Sequence, residues 1–170
     1  MTDYSAPKIR NFSIVGHGSC GKTTLSEAML VCAGQLGRMG TVEQKSTASD
    51  FHESEHDHGI SVHATLLTAE WVGAKLNILD TPGFQDFRSE ALSALRVGDS
   101  TVVVVNAGQG VSAGTDLMWR TADDFKLPKT LVVTALDKPN VDFDQVLAEA
   151  KLHFGTNLFP LTVPLDTGPG

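Results

Sequence analysis

The residues best placed to do chemistry lie near the N-terminus, in the run GHGSCGKT from Gly16 to Thr23. It matches the spacing G-x-x-x-x-G-K-[ST] at every fixed position. A β-rich run ends at Val15 just before it, and a helical stripe begins near Leu25 just after it. Gly16, Gly18 and Gly21 let the backbone curl so that successive N–H groups face a phosphate, reinforced by the helix N-terminus behind them. Lys22 supplies a point charge to the β- and γ-phosphates, and Thr23 offers a hydroxyl to Mg²⁺. The candidate phosphate-binding set is therefore His17, Gly18, Ser19, Cys20, Gly21, Lys22, Thr23 and Thr24. This run predicts a nucleoside phosphate as ligand. A second run, DTPG from Asp80 to Gly83, closes the β-rich stretch KLNIL. An Asp at the carboxyl end of a parallel strand sits in the ligand crevice, where it can hold a Mg²⁺-bound water. Gly83 would turn a backbone N–H toward the γ-phosphate. Alone, DTPG is as good a β-turn; beside the first run it reads as a nucleotide switch.

Short apolar runs alternate with amphipathic ones along the chain and would position these groups. Arg10 to Val15, Lys75 to Leu79, Thr101 to Val105 and Thr130 to Ala135 are brief and rich in Val, Ile, Leu and Thr, as strands covered on both faces are. Helical spacing relates Leu25, Ala28, Met29 and Cys32; Phe87, Ala91, Ala94 and Leu95; Met118, Thr121, Ala122 and Phe125; and Phe143, Val146, Leu147, Ala150 and Phe154. Alternating βα units predict a parallel, doubly wound sheet with right-handed crossovers. Ser61 to Trp71 reads as one longer strand, joined to the next only through Gly73 and Ala74, a link that permits only an antiparallel hairpin. The fold class is thus α/β, a three-layer P-loop NTPase fold with a mostly parallel sheet and one antiparallel edge strand. Residues 34–59 show no period, which in a compact domain marks a disordered or functional loop. Phe159 to Val163 reads as a final parallel strand, failing which the strand at Thr130 to Ala135 is left at an open edge. Residues 164–170 read as irregular.

Together these segments resemble the translation-factor GTPases, specifically the elongation factor G-like branch, over most of residues 8–164. DFHESEHDHGISV looks like that family's first switch and DTPGFQDF like its second. ALRVGDSTVVVVNAGQGV resembles the helix, strand and loop that follow, and WRTADDFKLPKTLVVTALDKPNVDF the guanine-reading strand with its preceding helix. The resemblance implies GTP and GDP as ligands, Mg²⁺ as cofactor, and GTP hydrolysis that depends on a partner, the ribosome. It puts Ser61 in the place of the switch threonine that completes Mg²⁺ coordination; serine keeps that hydroxyl. Thr23, Ser61 and Asp80 are then the metal set. It also puts Asp137 where the family's carboxylate accepts hydrogen bonds from guanine, with Thr134 three residues ahead.

Three departures shape the expectation. Thr134 and Ala135 stand where the family has Asn and Lys, so the base loses an amide and an aliphatic stem. Phe84 replaces the histidine that orients the attacking water, and a phenyl ring can neither donate nor accept. Gln85 has suitable chemistry one residue later and, with Lys22, makes up the candidate catalytic set. Finally, the chain stops before the family's inserted subdomain and later domains, so residues 1–170 read as a single, truncated G domain. The resulting expectation is Mg²⁺-dependent GTP binding with slow hydrolysis. A non-catalytic, nucleotide-responsive module and a P-loop protein with relaxed ATP/GTP selectivity share the same first motif.

Composition narrows the setting. The chain has 170 residues, with 41% hydrophobic and 19% charged, the balance of one globular domain. A net charge of −7 argues against independent nucleic-acid or anionic-membrane binding. No apolar run approaches the roughly 20 residues of a membrane span. The N-terminus lacks a secretory pattern, and Cys20 and Cys32 lie too far apart along the chain for a bridge, so a cytoplasmic location is expected. His52, His56, His58 and His63 read as a polar switch loop rather than a Zn²⁺ site. Cys20 sits beside an anion site able to lower its pKa, and Trp71 and the aromatics of FGTNLF read as core.

Overall fold

A computed structural model describes residues 4–165, apart from the side chains of His56 and His58. Five strands form one sheet in the order β2-β3-β1-β4-β5. β1 (Ile9–Gly16) lies at its centre, parallel to both β3 (Ala74–Asp80) and β4 (Ser100–Asn106). β5 (Lys129–Thr134) extends the sheet in parallel beyond β4, and β2 (Thr65–Trp71) is the antiparallel edge beside β3.

Alternation along the central strands sorts the helices into two outer layers. Ile14, Ile78 and Val104 pack with Leu30 and partly buried Leu25 and Met29 of α1 (Lys22–Cys32) on one face. Val15 and Val103 face the other way, against Ala91 and Leu95 of α3 (Arg88–Val97) and Met118, Trp119 and Ala122 of α4 (Ala113–Asp124). Val105 joins them through Val146 of α5 (Phe143–Phe154). Two helix starts are fixed locally: the Ser112 hydroxyl accepts from the Thr115 N–H, and the Asp142 carboxylate accepts from those of Asp144 and Gln145. The parallel strands and the antiparallel edge therefore stand as expected.

Several expectations from sequence need correction. The strand expected from Ser61 begins only at Thr65, because β3 ends opposite it at Asp80. Upstream, carboxylates have taken the ladder's donors: Glu55 accepts from Val62 and His63, and Glu90 from Ala64. The hairpin turn is Val72–Gly73, not Gly73–Ala74; both residues have positive φ (47° and 74°), as a two-residue turn between twisted strands favours. The segment 34–59 contains a short helix, α2 (Glu53–His58). Phe159 to Val163 is not a strand: Phe159, Leu161 and Val163 are exposed, and Pro160 and Pro164 lack the N–H that a ladder requires. β5 is consequently an edge among the described residues. Trp71 and Phe159 are exposed rather than core, whereas Phe154 stacks on Trp119 at 4.3 Å between ring centroids.

The stripe expected on α1 also differs. Cys32 is exposed, and the most buried positions are Lys22, Thr23, Ser26, Glu27 and Leu30. A polar helix face this deeply buried means that α1 serves the site as well as the sheet. Residues 166–170, most of the expected irregular tail, lie outside the described residues.

Candidate nucleotide site

The carboxyl ends of β1 and β3 place the two motifs side by side. At Gly16 the loop leaves β1 so close to β4 that a Cβ would stand 2.5 Å from the Val104 carbonyl oxygen, so only glycine fits. The loop ends at Gly21, whose φ of 90° turns the chain into α1. Lys22 is buried, its ammonium donating to the His17 carbonyl at 2.8 Å. Two bonds missed in the sequence hold the frame. The Thr81 hydroxyl, fully buried, donates to the Ile14 carbonyl at 2.7 Å and locks the start of the second motif to β1. The Thr115 hydroxyl accepts from the His17 N–H at 3.3 Å, tying the loop to α4.

A cleft of about 280 Å³ opens over this loop. Gly18, Ser19, Gly21, Lys22, Thr23 and Thr24 of the loop and helix start line it, together with Ser61, Gly83, Val42 and Glu43. The Thr23 and Ser61 hydroxyl oxygens are 3.3 Å apart. Asp80 is 2% exposed, and neither carboxylate oxygen has a hydrogen-bond partner. Burial pushes its pKa up to about 6, and the nearby charge of buried Asp50 pushes the same way. The Ser49 and Thr23 hydroxyls and the Lys22 charge offset part of that push, although the hydroxyls stop short of hydrogen-bond geometry with Asp80. A buried carboxylate without a hydrogen-bond partner, near the Thr23 hydroxyl that in turn meets Ser61, is a donor set suited to a hard divalent cation. Ser49 and Asp50 were not singled out from sequence; only their burial beside Asp80 reveals them.

Other expected residues fall outside this cleft. Gln85 is exposed and lines a separate recess with Pro82, Arg88 and Met118. Phe84 does reach the cleft, its ring lying so near Gly18 that a Cβ there would be 2.9 Å from the ring. Thr134 packs against Gly21 and donates its hydroxyl to the Cys20 carbonyl at 2.7 Å. Asp137 lies beyond it, its side chain 73% exposed and 3.6 Å from the Lys138 ammonium. Cys20 is buried, and burial raises its thiol pKa despite the neighbouring Lys22, which reverses the expected shift. Among the described residues no cluster of three His, Cys, Asp or Glu side chains forms a metal cage. No helix among them is long and apolar enough to cross a membrane.

A phosphate loop at the carboxyl end of a central parallel strand, with a buried Asp from the neighbouring strand, defines a P-loop nucleotide-binding domain. The sequence profile of the elongation factor Tu GTP binding domain matches residues 7–163, and the chain belongs to that family. Its ligand is accordingly a guanine nucleotide, and a base-indifferent P-loop protein is not favoured. A protein named "Ribosome-releasing factor 2, mitochondrial" from Drosophila ananassae is 39% identical over 163 residues, 96% of this chain and 22% of that protein. The protein of the same name from Lodderomyces elongisporus is 36% identical over 164 residues, 96% of this chain and 20% of its own. A crystal structure from Thermus thermophilus matches with a TM-score of 0.84 at 35% identity, over 87% of this chain and 22% of that one. The chain thus spans about a fifth of the length of the curated relatives it matches.

Proposed function

We propose that residues 1–170 act as one G domain that binds GTP with Mg²⁺ and hydrolyses it slowly, until a partner completes the site. The observation that carries this reading is Asp80, a buried carboxylate with both oxygens unpartnered near Thr23, whose hydroxyl meets that of Ser61. Such a group is costly to bury unless a cation or a proton answers it. Thr23 and Ser61 would hold Mg²⁺ directly and Asp80 through a water, and the ion would neutralise charge on the phosphates. Lys22, Gly83 and the loop N–H groups from His17 to Thr24 would bind the phosphates. Asp137 would read the base edge, with Thr134 holding that loop to the phosphate end.

Slow turnover follows from Phe84, which puts a phenyl ring over Gly18 where the resemblance implies a histidine. The ring offers no proton acceptor to an attacking water. Gln85 is the next polar side chain of this turn and reaches the cleft only if a partner reshapes it. The relatives' names point to the ribosome as that partner. The compartment follows the ribosomes served, cytoplasmic in our reading; the word mitochondrial in those names belongs to those proteins.

Equilibrium titration of the purified chain with GTP, GDP and ATP, with and without Mg²⁺, tests the binding. Guanine nucleotides should bind more tightly than ATP, and GTP more tightly with Mg²⁺. Equal affinities for all three, or no effect of the metal, would refute the reading. For hydrolysis, Phe84→His should raise single-turnover phosphate release roughly a hundredfold, the low end of a positioned base's contribution. An unchanged rate would mean that Phe84 is not what limits the chemistry.

A further inference from the structure

Thr23 and Glu27 stand four residues apart and so share one face of α1. Thr23 faces the cleft; Glu27, one turn on, is 1% exposed. Among the described residues its partners are two backbone donors rather than a lysine or arginine. One carboxylate oxygen accepts from the Gly40 N–H at 2.7 Å and the other from the Ala48 N–H at 2.6 Å. One side chain therefore closes the loop 40–48 at both ends. Within it, the Ser46 N–H donates to the Thr41 carbonyl at 3.2 Å, the Lys45 N–H to the Val42 carbonyl at 3.0 Å, and the Thr41 N–H to the Ser46 hydroxyl at 3.0 Å. Gly40 admits no side chain there, since a Cβ would collide with the Ser46 carbonyl.

The tip of this lobe, Val42 and Glu43, lines the nucleotide cleft. Its C-terminal end runs directly into buried Ser49 and Asp50, and the Ser49 carbonyl accepts from the Thr65 hydroxyl at 2.9 Å. Glu27 therefore acts on the cleft from both ends of the lobe. We propose that Glu27 is a positioning residue that holds the 40–48 lobe against α1 and thereby sets how long a guanine nucleotide stays bound. The inference rests on the nucleotide reading above and adds the element that retains the ligand. A carboxylate is needed because it has two acceptor atoms and no donor; glutamine would turn an NH₂ toward one of the two N–H groups.

The test pairs hydrogen exchange of the purified chain with the dissociation rate of a fluorescent GDP analogue in Mg²⁺. In Glu27→Gln, exchange across residues 40–48 should rise at least tenfold and dissociation should accelerate by a similar factor. Exchange in β1 and β4 should be unchanged, separating this from a general loss of stability. Glu27→Asp, which keeps both acceptors on a shorter stem, should recover part of each effect. A lobe that opens while dissociation stays within twofold would overturn the proposal, as would a lobe whose exchange does not change. Should Glu27→Gln fail to fold, the double variant Val42→Gly, Glu43→Ala strips this lining and keeps Glu27. It should also release the analogue at least fivefold faster, and an unchanged rate would overturn the proposal. A wild-type chain that takes up no GDP analogue defeats the nucleotide reading itself; uptake with unaltered release in Glu27→Gln defeats only the role of Glu27.

Discussion

At the phosphate end of the site, Lys22, Thr23 and Asp80 are all less than a tenth exposed, held by strand ends and by bonds such as Thr81 to Ile14. At the proposed base end the Asp137 side chain is 73% exposed, and nearby Ala135 has a φ of 58°, in the left-handed region that a Cβ disfavours. The first region draws its geometry from the central sheet, the second from a loop beyond strand β5 at the sheet's edge. Buried charges in low dielectric act strongly on a ligand, whereas an exposed carboxylate is screened by water. Affinity should therefore reside at the phosphate end, and selectivity should be the weaker and more adjustable property.

The severest challenge to this contrast is Lys22→Ala. If this buried ammonium meets phosphate as proposed, its truncation should weaken GDP binding on the order of 1000-fold, about 4 kcal/mol. Calorimetric titration checks it. A loss below tenfold would place the affinity elsewhere and dissolve the comparison.

Asp80→Asn probes the same end through pH. In the metal-free chain the folded-state pKa of Asp80 is about 6, above its ordinary 3.8, so the native state holds this proton more tightly than the unfolded state. Stability from this group is thus greatest below pH 4, declines as pH rises from about 4 to 6, and is level above. The span is about 3 kcal/mol at about 1.36 kcal/mol per pH unit. Urea melts without Mg²⁺ should show wild type losing stability relative to Asp80→Asn across that window. Parallel curves would mean that burial does not penalise the carboxylate. With Mg²⁺ and nucleotide present the order should reverse, since the ion then needs the charge that Asn lacks.

What the sequence made legible follows the same division. The phosphate loop and DTPG could be read because their chemistry depends on contiguous residues, and the strands beneath them because covered strands are continuously apolar. Glu27, Glu55 and Asp50 could not, since in a linear reading a carboxylate in a polar stretch resembles a solvated one. The meaning of Glu27 and Glu55 comes from backbone donors brought from elsewhere, Gly40 and Ala48 to Glu27 and His52, Val62 and His63 to Glu55, and that of Asp50 from its burial near Asp80. The same bonds explain why β2 starts late. Leu25, Ala28, Met29 and Cys32 formed a plausible stripe, yet α1 turns Thr23, Ser26 and Glu27 inward, because polar groups with partners can be buried as well as apolar ones.

At the base end the expected effects are smaller. Ala135→Lys would lay an aliphatic stem along the base that we propose Asp137 reads. It should raise the GTP-to-ATP affinity ratio roughly tenfold, the scale of one or two buried methylenes. Competition titration against GDP measures that ratio. A ratio that does not move would show that Asp137 does not hold the base.

The mildest test concerns the joint between the two ends. The Thr134 hydroxyl donates to the Cys20 carbonyl at 2.7 Å and so ties the end of β5 to the phosphate loop. Thr134→Val keeps the branched shape and removes the donor, which should cost about 1 kcal/mol of stability, a fall of about 2–4 °C in Tm. If the ends are coupled as described, GTP and ATP should then bind with more similar affinities while the Mg²⁺ dependence stays as in wild type. A lowered Tm with selectivity intact would mean that the bond stabilises the fold without transmitting position, and that the base loop is ordered by its own residues.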